Sequence, residues 1–400
     1  MRICFFNSTQ VGSTGQIVLN IATKLRELGH EVMCVFGLKK ADWGDIPCLY
    51  TLDSQNEWNY WKIRARLNGS DGFVNARSTF KALEEVKKFS PDVIHLHNVH
   101  GEWLDVSAIA DFAIEKKIPV LWTAHDCWLA TGRCAYFSFN GCDRYKGGCG
   151  KCPFKKSYPK VYWIDSSSKF WHKKRELLSR LNPTILTPSN WLKSILEDGG
   201  LKNDIYVVGN PIDASTFNCR GRSLPNVERK KTIGFCSFGW TEEKGLRFAC
   251  KLAESCLKKG IGSIFVGLPA NDSRLPKGAK AIARTNNVQE LACFYRDIDL
   301  FVNTTLQDVL SNVNLEALMT GTPVVTFNSG GAAEMIEEGV NGFSVPAGNL
   351  EALINKVSEA LELKWDNSEI SKSAAYFSKE AFIERMLPFY EKKASKGGAS

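Results

Sequence analysis

Twice along this chain, short continuous apolar runs alternate with amphipathic stretches of helical period. In the first half the runs are ICFFN (3–7), EVMCVFGL (31–38), DVIHLHNV (92–99) and PVLWTAHD (119–126). Helical patterns fill 15–28, about 78–89 and about 105–116 between them. Unbroken apolar runs are what strands buried on both faces require, and such strands occur in parallel sheets covered by crossover helices. The rhythm restarts with TIGFCSFGW (232–240) and continues through GSIFVGL (262–268), AIAR (281–284), LFVNTT (300–305) and PVVTFNS (323–329). Helices are expected there over 245–258, 288–296, 312–319 and 331–337.

The fold class is therefore α/β, with two Rossmann-like doubly wound parallel-sheet domains, because 400 residues exceed what one core usually holds. The polar stretch NCRGRSLPNVERKK (218–231) marks the boundary. It predicts domains over 1–215 and 216–377, followed by a C-terminal segment, 378–400, whose helix near 378–392 packs back on the first domain. Open parallel sheets bind ligands beyond the carboxyl ends of their strands, so both domains are expected to face one cleft with those ends.

Charge and hydropathy narrow the function. The net charge of +8 comes without a dense Lys/Arg block, which argues against a nucleic-acid partner and suits phosphates or an anionic membrane face. No apolar run is long enough to span a bilayer, and MRICFFNSTQ lacks the apolar core of a signal peptide. The reading is a cytoplasmic protein, with the inner face of the plasma membrane as a peripheral docking place.

Residues 127–182 break the alternation and read as an insertion. It carries Cys134, Cys142, Cys149 and Cys152, spaced x7, x6 and x2. The terminal CGKC is half of a zinc knuckle. Structural zinc, disulfides and reduced packing thiols all remain open readings. Lys155, Lys156, Lys160, Lys169, Lys173, Lys174 and Arg175 lie near Tyr158, Tyr162, Trp163, Phe170 and Trp171. Such a mixture suits a lipid headgroup layer, or equally a solvated helix with its aromatics in the core.

The chemistry concentrates in TTLQDVLSNVNLEALMTGTPVVTFNSGGAAEMI (304–336). A strand ends near Thr305, a loop carries Asp308, and a helix begins at Ser311, Asn312 and Val313, with Glu316 in its second turn. Amides at a helix start bind phosphate oxygens, and two acceptor-only carboxylates suit sugar or ribose hydroxyls. A bare N-cap at Ser311 with a solvated Glu316 fits the same letters. Lys244, at the start of another helix, supplies a point charge. Gly12 and Gly15 lie between the first strand and the first helix, where backbone approaches a ligand closely. His125 ends a strand, His97 and His100 follow the preceding one, and His95 lies within it as a core candidate. An NAD enzyme would want G-x-G-x-x-G after the first strand, which VGSTGQ does not supply.

The 304–336 stretch resembles the acid-x7-acid donor signature of glycosyltransferase family 4, whose members have the GT-B fold and retain anomeric configuration. FGWTEEKGLRF (238–248) resembles the family's basic donor-phosphate motif, and the segments NVHGEWLD and WTAHDCWLATGRCAYFSFNGCDRYKGGCGKCP resemble a subfamily that builds bacterial exopolysaccharides and O-antigens. The resemblance implies a nucleotide-diphospho-sugar donor and a glycan or lipid-linked oligosaccharide acceptor. It places Asp308 and His125 at the transferred sugar, amides near 311–313 and Lys244 at the diphosphate, Glu316 at the ribose, and the Gly12–Gly15 loop by the phosphate and acceptor. His97 and His100 are the acceptor candidates. Two departures stand out: Asp308 replaces the usual Glu, and Gly239 replaces the usual Arg. Arg247 is a substitute candidate. No divalent metal is expected in catalysis, since no Asp-x-Asp pair lies near the donor loop. A nucleotide-sugar epimerase and an inactive sugar-nucleotide-binding protein are the rival readings.

Overall fold

The structure, a computed structural model, describes residues 1–156, 158–221, 230–283 and 287–397, with side chains through 392 in the final helix. Most of the polar boundary expected over 218–231, and Arg284 at the end of the AIAR run, lie outside the described residues. The chain divides into two units. One comprises Met1–Pro211 and the segment from Phe382 onward; the other comprises Ile212–Ala381.

The first unit is built on a seven-stranded sheet. Its strands are β1 (Arg2–Phe6), β2 (Glu31–Phe36), β3 (Cys48–Tyr50), β4 (Val93–Leu96), β5 (Val120–Thr123), β6 (Thr184–Thr187) and β7 (Ile205–Val207). Their order is β3-β2-β1-β4-β5-β6-β7, all parallel. Helix α1 (Gly12–Glu27) buries Ile17, Val18, Ile21 and Leu25 at helical spacing against the sheet. The final helix (Lys379–Gly397) enters the same core through Phe382, Ile383, Met386 and Tyr390.

The second unit holds β8 (Thr232–Cys236), β9 (Gly262–Val266), β10 (Lys280–Ile282), β11 (Leu300–Asn303), β12 (Val324–Asn328) and β13 (Gly342–Pro346). Their order is β10-β9-β8-β11-β12-β13, again all parallel. The expected helix over 331–337 is instead a run of turns. Gly330 there adopts φ +62, and the Asn314 side chain takes the Ala332 carbonyl at 2.8 Å that a helix would have used. Among the described residues no helix is long and apolar enough to cross a membrane.

Each sheet reverses its direction of growth once, between β1 and β4 in the first unit and between β8 and β11 in the second. Ligands bind at such switch points because adjacent crossovers leave on opposite faces and open a crevice beyond the strand ends. The loops there are 7–11 and 97–105 in the first unit, and 237–245 and 304–311 in the second.

Candidate active site

The two loops at the second unit's switch point are locked together. Gly245 adopts φ +72, and a Cβ on it would stand 1.8 Å from the Thr304 carbonyl oxygen, so only glycine fits. Thr304 Oγ1 donates to the Gly245 carbonyl at 3.1 Å, and the Leu306 amide donates to the Glu243 carbonyl at 2.8 Å. This clasp brings Lys244 Nζ to 3.1 Å from Asp308 Oδ2. From the other side, the Gly331 amide donates to the Asp308 carbonyl at 3.0 Å, and a Cβ on Gly330 would collide with that carbonyl at 2.0 Å.

Ser311 precedes α9 (Asn312–Met319) but does not cap it with its side chain. Its hydroxyl accepts from Asn303 Nδ2 at 2.8 Å, while the same amide donates to Asn314 Oδ1 at 2.9 Å. The N-cap reading of Ser311 is thus corrected: Asn303, at the end of β11, draws the hydroxyl away from the helix start. Ser311 thus offers no side-chain cap to the first turn of α9, which holds Asn312 and Val313.

Glu316 is half-buried in the second turn of that helix and accepts from Tyr295 Oη at 2.9 Å. Burial pushes its carboxyl up to about 7, while the tyrosine hydroxyl pulls the other way. The group is therefore poised between acid and carboxylate at neutral pH. Burial, reinforced by the negative charge of Glu316, holds the nearby Cys236 thiol up at about 12.

Gly239 is exposed, and a Cβ on it would meet nothing within 4 Å. Arg247 does not take over the missing guanidinium's place: it stands 3.8 Å from Glu242 and over the Phe248 ring.

In the first unit the loops after β4 and β5 carry three histidines, and β4 itself a fourth. His97 Nδ1 lies 2.9 Å from His125 Nε2, and the rings stack. Burial holds His97 well below the ordinary imidazole range and His125 at about 4, so the pair is neutral. His100 behaves oppositely. Burial opposes its charge, but Asp126 at 2.6 Å and the neighbouring Asp71 outweigh it and raise the imidazole above its ordinary range. Asp71 is itself fixed by the amides of Gly101 and Glu102 at 2.8 and 2.9 Å. His95, within β4, is a core residue, bonded to Tyr390 at 2.7 Å and Thr123 at 2.8 Å.

His97, His100, His125 and Asp126 line one small cavity at the strand ends. Gly12, by contrast, meets nothing, and Gly15 is demanded by its own loop, since a Cβ there would sit 2.4 Å from the Gln10 carbonyl carbon.

Cys134, Cys142, Cys149 and Cys152 also line one cavity. All are free thiols, so the disulfide reading is not realised. Among the described residues, no group of three or more His, Cys, Asp or Glu side chains already stands ready to hold a metal ion. The basic-aromatic cluster of the insertion separates: Phe170 and Lys174 are buried, whereas Tyr162, Trp163 and Ile164 are 56, 74 and 62% exposed.

Sequence reasoning missed Asn303, Asn314, Tyr295, Asp71 and Asp126. Asn303 had a signal, a lone amide closing an apolar strand. Tyr295 had none, because it reaches Glu316 from a different helix, α8 (Val288–Asp297).

Residues 14–216 match the domain described as Glycosyltransferase Family 4, and residues 230–363 match Glycosyl transferases group 1. The chain belongs to glycosyltransferase family 4. It is a transferase of the GT-B fold class, built from two Rossmann-like parallel-sheet units. This family 4 enzyme is 24% identical, over 346 residues and 82% of each chain, to the putative colanic acid biosynthesis glycosyl transferase WcaC of Escherichia coli K12. Its fold matches that of Anabaena HepE in complex with UDP and glucose, with a TM-score of 0.68 at 16% identity over 98% of this chain and 100% of the other. A glycosyltransferase from Rickettsia africae gives the same score and identity over 98% of both chains.

Proposed function

We propose that this enzyme transfers a sugar, with retention of anomeric configuration, from a nucleotide-diphospho-sugar to a growing bacterial surface glycan carried on a lipid. The observation that carries the reading is the Lys244–Asp308 pair at the second unit's switch point, in the loop that leads into α9. Lys244 and the α9 amides neutralise the diphosphate as it leaves, and preorganised charge of this kind is the main source of rate enhancement open to the site. Asp308 takes sugar hydroxyls, and Glu316 accepts from the ribose. No divalent metal takes part; the cation is the lysine. The leaving diphosphate takes the proton of the attacking acceptor hydroxyl on the face it departs from.

In the first unit, neutral His125 bonds the sugar near its reacting carbon, while His97 and His100 meet the acceptor. That HepE was solved with UDP and glucose, and that WcaC is named for colanic acid, supports both donor class and product class. The exposed Tyr162, Trp163 and Ile164 beside Lys160 supply a membrane-facing edge for a lipid-linked acceptor at the inner face.

The test is hydrolysis and transfer with a panel of UDP-, GDP- and dTDP-sugars, with and without EDTA. Slow, EDTA-insensitive release of sugar with its configuration retained is expected. Binding without turnover points to an inactive sugar-nucleotide binder, a reading that Gly239 favours. Inverted sugar released without acceptor points to an epimerase. Neither turnover nor binding of any donor refutes the transferase site.

A further inference from the structure

We propose that Cys134, Cys142, Cys149 and Cys152 form a tetrathiolate site for one zinc ion, which fixes the inserted segment 127–182. The thiols converge. Separate turns of the insertion deliver them to a single cavity walled by Phe137 and Tyr145, and none of its lining comes from the switch-point loops. Four of thirteen cysteines meeting in one place is not what scattered packing thiols do.

The backbone of the Cys149–Cys152 turn is strained. Gly148, Cys149, Gly150 and Lys151 have φ of 103, 56, 100 and 45°. Two non-glycine residues are held left-handed there, and such strain persists where something over-determines it. The turn aims both sulfurs at amide and guanidinium donors: the Gly132 amide lies 3.1 Å from Cys149 Sγ, and Arg133 Nη2 lies 3.6 Å from Cys152 Sγ. Donors directed at sulfur are the usual outer shell of a metal-bound thiolate.

Charge points the same way. Lys174 is buried, bonding the Trp128 carbonyl at 2.5 Å, with its ammonium 3.9 Å from that ring's centroid. Arg175 bonds the carbonyls of Leu129, Ala130 and Gly199. Among the described residues neither makes an ion pair, although buried cations ordinarily face an anion. A zinc tetrathiolate carries a net charge of −2 and supplies the missing counter-charge.

Without metal the thiols bond each other. Cys134 and Cys152 are hydrogen-bonded to each other. Binding replaces sulfur–sulfur contact with bonds of about 2.3 Å and releases the thiol protons, Zn²⁺ + 4 RSH giving [Zn(SR)4]²⁻ + 4 H⁺.

Full-length protein from zinc-supplemented cells, purified without chelator, should carry about one zinc per chain by elemental analysis. Exchange with Co²⁺ should give the intense sulfur-to-cobalt charge-transfer absorption of a tetrahedral thiolate site. Cys149→Ser should lose the ion and open the 127–182 segment to protease, whereas Cys293→Ser, at an exposed position, should keep both. Wild-type protein with no zinc and no cobalt absorption overturns the proposal, as does a Cys134–Cys152 disulfide found by intact mass, or zinc retained when all four cysteines are serine. None of these readings depends on turnover, so they stand or fall apart from the transferase assignment.

Discussion

Replacing Glu316 with Gln tests the donor site through a single proton. The carboxyl sits at about 7 because burial disfavours its charge, against an ordinary value of 4.5. At pH 7 the unliganded site is thus about half protonated. A ribose donating its hydroxyls to this group favours the carboxylate, so binding expels the proton. With the bound carboxyl back near 4.5, the nucleotide releases about half a proton per site at pH 7, and its Kd rises about tenfold from pH 8 to pH 6. Calorimetric titration of whichever nucleoside diphosphate binds, in buffers of different ionisation enthalpy, counts the protons. The nucleotide's own phosphate titration is common to both proteins, so the difference between wild type and Glu316→Gln isolates the carboxyl. Equal proton counts and parallel pH dependence would refute the assignment.

The same carboxyl acts on stability with a defined sign. Its folded value lies above its unfolded one, so ionising it costs the folded state nothing below about pH 4.5 and progressively more up to about 7, where the penalty levels off. A shift of this size corresponds to at most about 3 kcal/mol, a ceiling because the side chain keeps some solvent contact. Glu316→Gln should therefore match wild type in urea midpoint at about pH 4 and exceed it at about pH 8.

Three further changes test other parts of the site. Lys244→Ala should lower turnover by about a hundredfold or more while leaving the thermal midpoint nearly unchanged, because so exposed an ion pair contributes under about 1 kcal/mol; activity and melting are measured on the same preparation. Gly245→Ala forces a Cβ onto the Thr304 carbonyl at positive φ and should destabilise the second unit by about 2 kcal/mol or more, read as a lowered urea midpoint with weakened nucleotide binding. His125 lies at about 4, below the unfolded 6.5, so its contribution is lost as pH falls through that window; His125→Asn should flatten the acid side of the stability curve by about 2–3 kcal/mol between about pH 7.5 and 4.5.

How much of this was legible in the sequence follows from what is local. The buried parallel strands announce themselves as apolar runs, and 312–319 is a helix with the bounds its pattern gives. Helix α2 (Gln55–Asn68) escaped because it buries only Ala65 and so lacks an apolar stripe. Its signal was a capping box, in which Ser54 accepts from the Glu57 amide at 3.2 Å and Glu57 accepts from the Asp53 amide at 2.8 Å. The 331–337 segment read as a helix by composition, yet a side chain from α9 claims its backbone. The carboxylates and the lysine of the donor site were visible as motif letters. Their environment was not, because Tyr295 and Asn303 meet the site only through the fold. Likewise the opposite shifts of His97 and His100 depend on Asp126 and Asp71, which the chain brings to His100 from two other loops.

The two departures from the family pattern bear on one another. Losing the arginine at 239 removes one positive charge from the diphosphate position, and shortening the first acid to Asp308 withdraws a carboxylate along its own stem. What is left is one cation and one anion, held 3.1 Å apart by the clasp at Gly245. With Lys244 40% and Asp308 21% exposed, water screens the pair and its net worth is under about 1 kcal/mol. In the proposed donor complex a diphosphate carries more charge than the aspartate and would also be met by the α9 amides, so trading Asp308 for phosphate at Lys244 would be downhill. In this exchange scheme Asp308 would be released toward the sugar only when the donor is in place. Gly239→Arg separates this arrangement from a merely weakened site. The position is open, so the side chain fits; in the exchange scheme the added guanidinium also attracts Asp308, and it should tighten nucleotide binding while slowing turnover. An arginine that raises both affinity and turnover would show that the site simply lacks a cation.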